Sequence, residues 1–273
     1  MSCFENFDYI VKVGKEADYR LKLLNNIFRK NTISFYKNLG LRPGVLVLEA
    51  GCGTGYLTID IAREIAPNGR VVAIDISEEQ IAIASANAKA ANVSNIEFLV
   101  HKIEDSDKLP FKFDMVLSRF VLMHIKDPMS ALTSMLNSLT SQGVLACEEP
   151  SMSDCFSSIA SDSFDIAMYW HMKYAELVGI NFNIGKELYS MIVNHSVTSP
   201  NIQIVQPVVK NQEIEKYIFA LLTKESKDKY LEKLIATEYE IDKVIYDLEI
   251  LAKNPNVYFG CAKMFQIGCI NNK

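Results

Sequence analysis

This sequence holds little that would tie it to a polyanion, a membrane or an oxidising compartment. Lysine and arginine number 28 against 33 aspartates and glutamates, a formal net charge of −5. No bulk positive field therefore seeks nucleic-acid phosphates or an anionic bilayer. No long apolar run is clean enough to span a membrane. Residues 128–147 and 188–209 contain no Asp, Glu, Lys or Arg, yet both are filled with Ser, Thr, Asn and Gln and both carry proline. The first residues place Glu5 and Asp8 where a signal peptide needs an apolar segment. The six cysteines (3, 52, 147, 155, 261 and 269) form no CxxC pair, and the four histidines show no metal-ligand spacing. The expectation is reduced thiols packed as small core residues in a cytoplasm, with no metal, nucleic-acid or membrane partner.

What is present is an ordinary globular composition, 49% hydrophobic and 22% charged over 273 residues. Residues 16–39 carry Leu21, Leu24, Ile27 and Phe28 at helical spacing, and Gly40 with Pro43-Gly44 ends that segment. Short apolar runs follow at 45–50, 70–75, 96–100, 113–118 and 143–149, separated by amphipathic stretches at 55–66, 78–92 and 128–140. Strands spaced by helices predict βαβ units and a parallel sheet covered on both faces. Ser77-x-x-Gln80 reads as a capping box at the second of these helices. Beyond residue 150 the rhythm changes to helices at 156–178, 185–195 and 212–252, with strands at 202–209 and 257–270. The reading is one domain, 1–273, with an N-terminal helical segment (1–40), a ligand-binding core (41–150) and helical cap insertions (151–200 and 210–254) that act as a lid.

The segment EAGCGTGY (49–56) lies between a predicted strand and a predicted helix, where Gly51, Gly53 and Gly55 allow a tight turn and a close approach to a ligand. The spacing is G-x-G-x-G: Tyr56 stands where a dinucleotide fingerprint needs its third glycine, and no Walker-type lysine follows. Glu49 would repel a pyrophosphate and favour a cation. Asp75 ends the next strand 20 residues after Gly55, placed to accept from ribose hydroxyls. A nucleoside bearing a cationic group and no phosphate meets these requirements, and S-adenosylmethionine is such a molecule.

With VLVLEAGCGTGYLT (45–58), VVAIDIS (71–77), LPFKFDMVLSRFVLMHIKDP (109–128) and GVLACEEP (143–150) in order, the chain resembles the class I S-adenosylmethionine-dependent methyltransferases, and within them a bacterial small-molecule branch. The resemblance covers roughly residues 42–150. It implies a Rossmann-like α/β fold with a seven-stranded sheet whose last strand is antiparallel, helices on both faces and a helical cap from the insertions. It also implies that Glu49, Gly51, Cys52, Gly53 and Gly55 line the methionine end of the cofactor, that Asp75 holds the ribose and that Ile76 packs on the adenine. By the same resemblance Gln80, Ile103 and Glu104 lie near the nucleoside, and Ser118 and Arg119 approach the methionine moiety through backbone groups. The product would be S-adenosyl-L-homocysteine. One departure is His101-Lys102, where the family often has Gly-Asp; lysine cannot accept from the adenine amino group.

For the chemistry, His124 is the candidate general base, and Glu149 or its neighbour Glu148, closing the fifth strand, is a candidate for facing the acceptor. Tyr9 or Tyr19, Tyr169, Trp170 and part of segment 165–174, which includes His171, are candidates for the acceptor pocket, the remainder of that segment being core. The leading function is methyl transfer to a small, partly apolar molecule. A non-catalytic cofactor-binding or regulatory protein and a nicotinamide-dependent oxidoreductase are the alternatives. The acceptor atom and the oligomeric state are not written in the sequence.

Overall fold

The computed structural model describes residues 11–195 and 197–272. Helix α1 (Lys15–Asn38) precedes β1 (Leu46–Ala50), α2 (Tyr56–Ile65), β2 (Arg70–Asp75), α3 (Glu78–Ala90), β3 (Ile96–Val100), β4 (Phe113–Arg119), α4 (Pro128–Asn137) and β5 (Leu139–Ser151). Then come β6 (Phe156–Ser157), α5 (Asp162–Val178), α6 (Gly185–Val193), β7 (Val197–Val205), β8 (Val208–Val209), α7 (Ile218–Glu225), α8 (Lys227–Glu232), α9 (Glu238–Lys253), β9 (Phe259–Gly260) and β10 (Lys263–Asn271). Seven strands form one sheet in the order β3-β2-β1-β4-β5-β10-β7. The first five are parallel, and β10 runs antiparallel to both β5 and β7. A small second sheet, β6-β9-β8, lies outside it.

The central strands are apolar throughout because both faces are covered. Alternate residues of the same strands enter two separate cores: Leu48, Val72, Val116 and Leu145 join one, while Val47, Val71, Met115 and Ala146 join the other. The second core is closed by α2 through Leu57, Ile61 and Ile65, and by the end of α1 through Phe35 and Tyr36. The first is closed by α4 and by the cap helices, with Phe164, Phe219 and Leu248 contributing from α5, α7 and α9. Helix starts are fixed locally. Asp127 accepts from the Ser130 N–H with Pro128 opening α4, Ser77 accepts from Gln80 N–H, and Thr237 and Glu240 form a reciprocal capping box on α9.

The cap differs from the expected one. Segment 151–200 does not act as a unit: α5 packs on α7 and α9, whereas α6 packs against β5, β7 and β10 and covers the sheet. Residues 197–200 already belong to β7. The stretch read as helical over 212–252 is so, as a 3₁₀ turn followed by three helices.

Close contact between α6 and β5 depends on Gly185. A Cβ there would stand 2.4 Å from the Glu149 carbonyl oxygen and 2.8 Å from that of Pro150. Alanine ordinarily favours a helix, yet Gly185→Ala should destabilise the fold by about 1–3 kcal/mol through overpacking against backbone. Urea unfolding of the two proteins checks this, and an alanine variant of equal or greater stability would refute it.

Candidate active site

The carboxyl ends of β1, β2 and β4 open into a cavity of about 190 Å³. Its floor is the loop between β1 and α2, and its walls come from α1, the loop after β4, α5 and α7. The loop is held hard against its neighbours. Gly51 and Cys52 donate to the Ile74 carbonyl at 2.8 and 2.9 Å. Gly51 has φ +79°, and a Cβ on it would meet Val121 at 2.3 Å. Gly53, at φ +54°, faces open cavity; the nearest atom to a Cβ there is Leu21 Cδ1 at 3.6 Å.

Asp75 pins this loop. Its Oδ2 accepts from Gly53 N–H at 2.9 Å and its Oδ1 from Ser77 N–H at 3.0 Å, leaving each oxygen a further lone pair. Burial raises its pKa, opposed by these backbone donors. Glu49 also lines the cavity and is buried, and burial raises its pKa to about 7 against the opposing influence of Thr58 and Arg119. Glu49 Oε2 and Gln80 Oε1 are buried without a hydrogen-bond partner among the described residues. Two orphaned acceptors on residues that line one cavity suit a ligand that brings a cation and donors.

Arg119 lines the cavity, and its guanidinium is tied to α1. It donates to Asn25 Oδ1 at 2.8 Å and to Thr32 Oγ1 at 3.2 Å, both on α1. Thr32 passes its own proton to Glu148 Oε2 at 3.0 Å, which Gln266 also contacts. Asn25 donates to Asp60 Oδ2 at 2.9 Å. A buried ion pair between Arg20 and Glu225, 2.6 Å long, ties α1 to α7 over the cavity.

The lining also includes the apolar side chains Phe120, Met123, Met152, Phe182 and Leu222 together with His124 and His171. The His124 ring meets Phe182 edge-on at 5.8 Å. Burial, with a contribution from the Arg20 charge, lowers both histidine pKa values to about 4, so both are neutral at pH 7. Phe120 holds φ +60°, an unusual conformation for a bulky residue, with its N–H given to the Glu148 carbonyl and its ring edge-on to Phe28.

Of the residues read from the sequence, Glu49, Gly51, Cys52, Gly53, Gly55, Asp75, Gln80, Arg119 and His124 line this cavity. Ile76, Ile103, Glu104 and the buried Ser118 do not border it. Tyr169 is 62% exposed and Tyr19 49% exposed, and neither lines it. Trp170 packs on Tyr230, ring centroids 5.7 Å apart; one step of about 100° along α5 brings His171 to the cavity instead. Tyr9 lies outside the described residues. Arg20, Asn25, Phe120 and Phe182 carried no recognisable sequence signal.

Glu149, a candidate for facing the acceptor, does not border the cavity. Its carboxylate accepts from the N–H groups of Val121, Leu122 and Met123 at 3.0, 2.8 and 3.2 Å, capping the 3₁₀ turn that carries His124. Burial lifts its pKa to about 7 against those three donors. Glu149→Ala strands buried donors and should cost about 3 kcal/mol or more; Glu149→Gln keeps one accepting oxygen and should cost less. A Glu149→Ala variant as stable as the parent in urea unfolding would refute the capping role.

Comparison with known proteins agrees with this geometry. The family described as "Methyltransferase domain" matches residues 41–230. The demethylmenaquinone methyltransferase of Staphylococcus aureus is 32% identical over 154 residues, which is 54% of this chain and 62% of that protein. The chain thus spans somewhat under two thirds of the curated relatives it matches. A putative methyltransferase from Bacillus halodurans superposes with a TM-score of 0.58 at 15% identity, covering 88% of this chain and 98% of that one. A SAM dependent methyltransferase from Aquifex aeolicus gives 0.51 at 14% identity, covering 92% and 98%. The oxidoreductase alternative finds no support in these matches. The phosphate-free glycine loop, the acidic ends of β1 and β2, the seven-stranded order and the matched domain together make this chain a member of the class I S-adenosylmethionine-dependent methyltransferase family.

Proposed function

We propose that the protein transfers the methyl group of S-adenosylmethionine to a small, partly apolar acceptor. The observation that carries this is the mixed lining of one cavity: Glu49, Asp75 and the orphaned acceptors on Glu49 and Gln80 beside the glycine loop, together with apolar side chains and two neutral imidazoles. When bound, S-adenosylmethionine supplies a methyl carbon activated by the adjoining sulfonium. Glu49 would hold the cationic end, Asp75 the ribose hydroxyls with its remaining lone pairs, and Gln80 a further donor. Ile76, Ile103 and Glu104 would flank the adenine beyond Gln80, and the backbone at Ser118 would meet the methionine end.

The chain's further contribution is alignment and exclusion of water by α1, α5 and α7. His124, neutral at pH 7, can take a proton from an acidic acceptor as the methyl transfers, and its burial, with the Arg20 charge adding to it, keeps it from retaining that proton. The Staphylococcus relative is named for demethylmenaquinone, and a ring system of that kind is compatible with the wall of Phe120, Met152, Phe182 and Leu222. A net charge of −5 supplies no bulk attraction for nucleic acid, and among the described residues no helix is long and apolar enough to cross a membrane.

Isothermal titration should show S-adenosylmethionine and S-adenosylhomocysteine binding and NAD not binding; the reverse would overturn the reading. The pH dependence has a definite sign. Glu49 is protonated below about pH 7 and ionised above it, and a cation selects the ionised form. Affinity for S-adenosylmethionine should therefore rise between pH 5.5 and 7.5, by up to about tenfold per pH unit, and then level off. Glu49→Gln should bind weakly and without that slope. A wild-type profile that is flat or falls with pH would show that Glu49 does not face the cation. Methyl transfer from labelled cofactor into a metabolite extract identifies the acceptor.

A further inference from the structure

We propose that His171 holds the methyl acceptor, its Nε2–H donating to an oxygen lone pair of an enolate or phenolate, the nucleophilic forms that can take a methyl from a sulfonium, while Tyr230 fixes the imidazole in the donating tautomer. The inference rests on the methyltransferase reading above and names the acceptor class for the same cavity.

Three observations lead there. His171 is 2% exposed and lines the cavity, yet its Nε2 has no hydrogen-bond partner among the described residues. A buried polar atom of this kind is costly unless a ligand meets it. The other ring nitrogen is occupied: Nδ1 stands 2.5 Å from Tyr230 Oη and 3.2 Å from the Ala167 carbonyl. Tyr230 is fully buried, with its hydroxyl enclosed between α5 and α8.

The proton count then selects a tautomer. The phenol must place its proton, and the imidazole nitrogen is the stronger base beside it; the Ser226 hydroxyl gives its own proton to the Leu222 carbonyl at 2.8 Å. With Tyr230 donating to Nδ1 across the shorter contact, in place of an Nδ1–H given to the Ala167 carbonyl, the single ring proton of a neutral histidine sits on Nε2. The cavity is thus offered a donor and no lone pair at this point. An amine or a protonated hydroxyl would gain nothing by its proton there, whereas a carbonyl-type oxygen gains a bond. Met152, Phe182 and Leu222 around it suit the apolar remainder of such a molecule.

Protein labelled with ¹⁵N-histidine tests this, with only four histidines to assign. The free protein should show His171 protonated at Nε2, and Tyr230→Phe should move the proton toward Nδ1. With S-adenosylhomocysteine present, α-tetralone, a bicyclic ketone, should shift the His171 Nε2–H resonance, while tetralin, its hydrocarbon, should not. His171→Phe should weaken α-tetralone binding about tenfold or more, the contribution of roughly one hydrogen bond, and leave the S-adenosylhomocysteine dissociation constant unchanged. His171→Gln, which keeps a donor, should recover most of the loss. Protonation of His171 at Nδ1 in the free protein, or equal behaviour of tetralone and tetralin, including binding by neither, overturns the proposal. Failure of S-adenosylhomocysteine to bind the wild type overturns instead the methyltransferase reading on which it rests.

Discussion

The guanidinium of Arg119 is the counter-charge on which the interior of this protein depends. Glu49 and Glu148 are buried beside it, and in both cases its charge opposes the rise in pKa that burial imposes. A lone buried cation would be as costly as the acids it offsets. The arrangement holds because α1 supplies neutral partners, Asn25 and Thr32, that accept from Arg119 and pass protons on to Asp60 and Glu148. The strand ends, the N-terminal helix and the antiparallel β10, through Gln266, are thereby one polar structure inside two apolar cores. The cavity is the place where that structure stops short of full satisfaction.

The division of labour along the fifth strand shows how a neighbouring pair of like residues separates. Glu148 and Glu149 point to opposite faces of the sheet, as successive strand residues must. One enters the Arg119 network; the other collects three backbone N–H groups and shapes the turn that presents His124. Neither is solvated, and neither borders the cavity.

The fold was largely legible in the sequence because apolar runs, glycines and caps act locally. The strands at 70–75 and 96–100 coincide with their predicted spans, and the antiparallel last strand implied by family resemblance is present. The glycine-loop side of the site was legible for the same reason: its residues follow directly from strand ends. The acceptor side was not. Asn25, Arg20 and Phe182 reach the cavity from elements distant in sequence, and no spacing records that convergence. In α5 the aromatic residues drew attention, but helix phase turns Tyr169 outward and Trp170 into the packing against Tyr230, and leaves the less conspicuous His171 facing the cavity. The separate packing of α5 and α6 within 151–200 was illegible for a similar reason, since amphipathic periodicity shows that a helix has an apolar face but not whether that face meets a sheet or another helix.

The ion pair between Arg20 and Glu225 joins residues 205 positions apart. It closes a loop containing nearly the whole sheet, so its formation awaits almost the entire chain. During synthesis the glycine loop and the first five strands emerge well before α7 exists to meet α1. A nascent or prematurely ended chain can thus possess the cofactor-facing half of the cavity while lacking its roof. Assembly order alone then separates the capacity to hold a nucleoside from the capacity to shield a reaction from water.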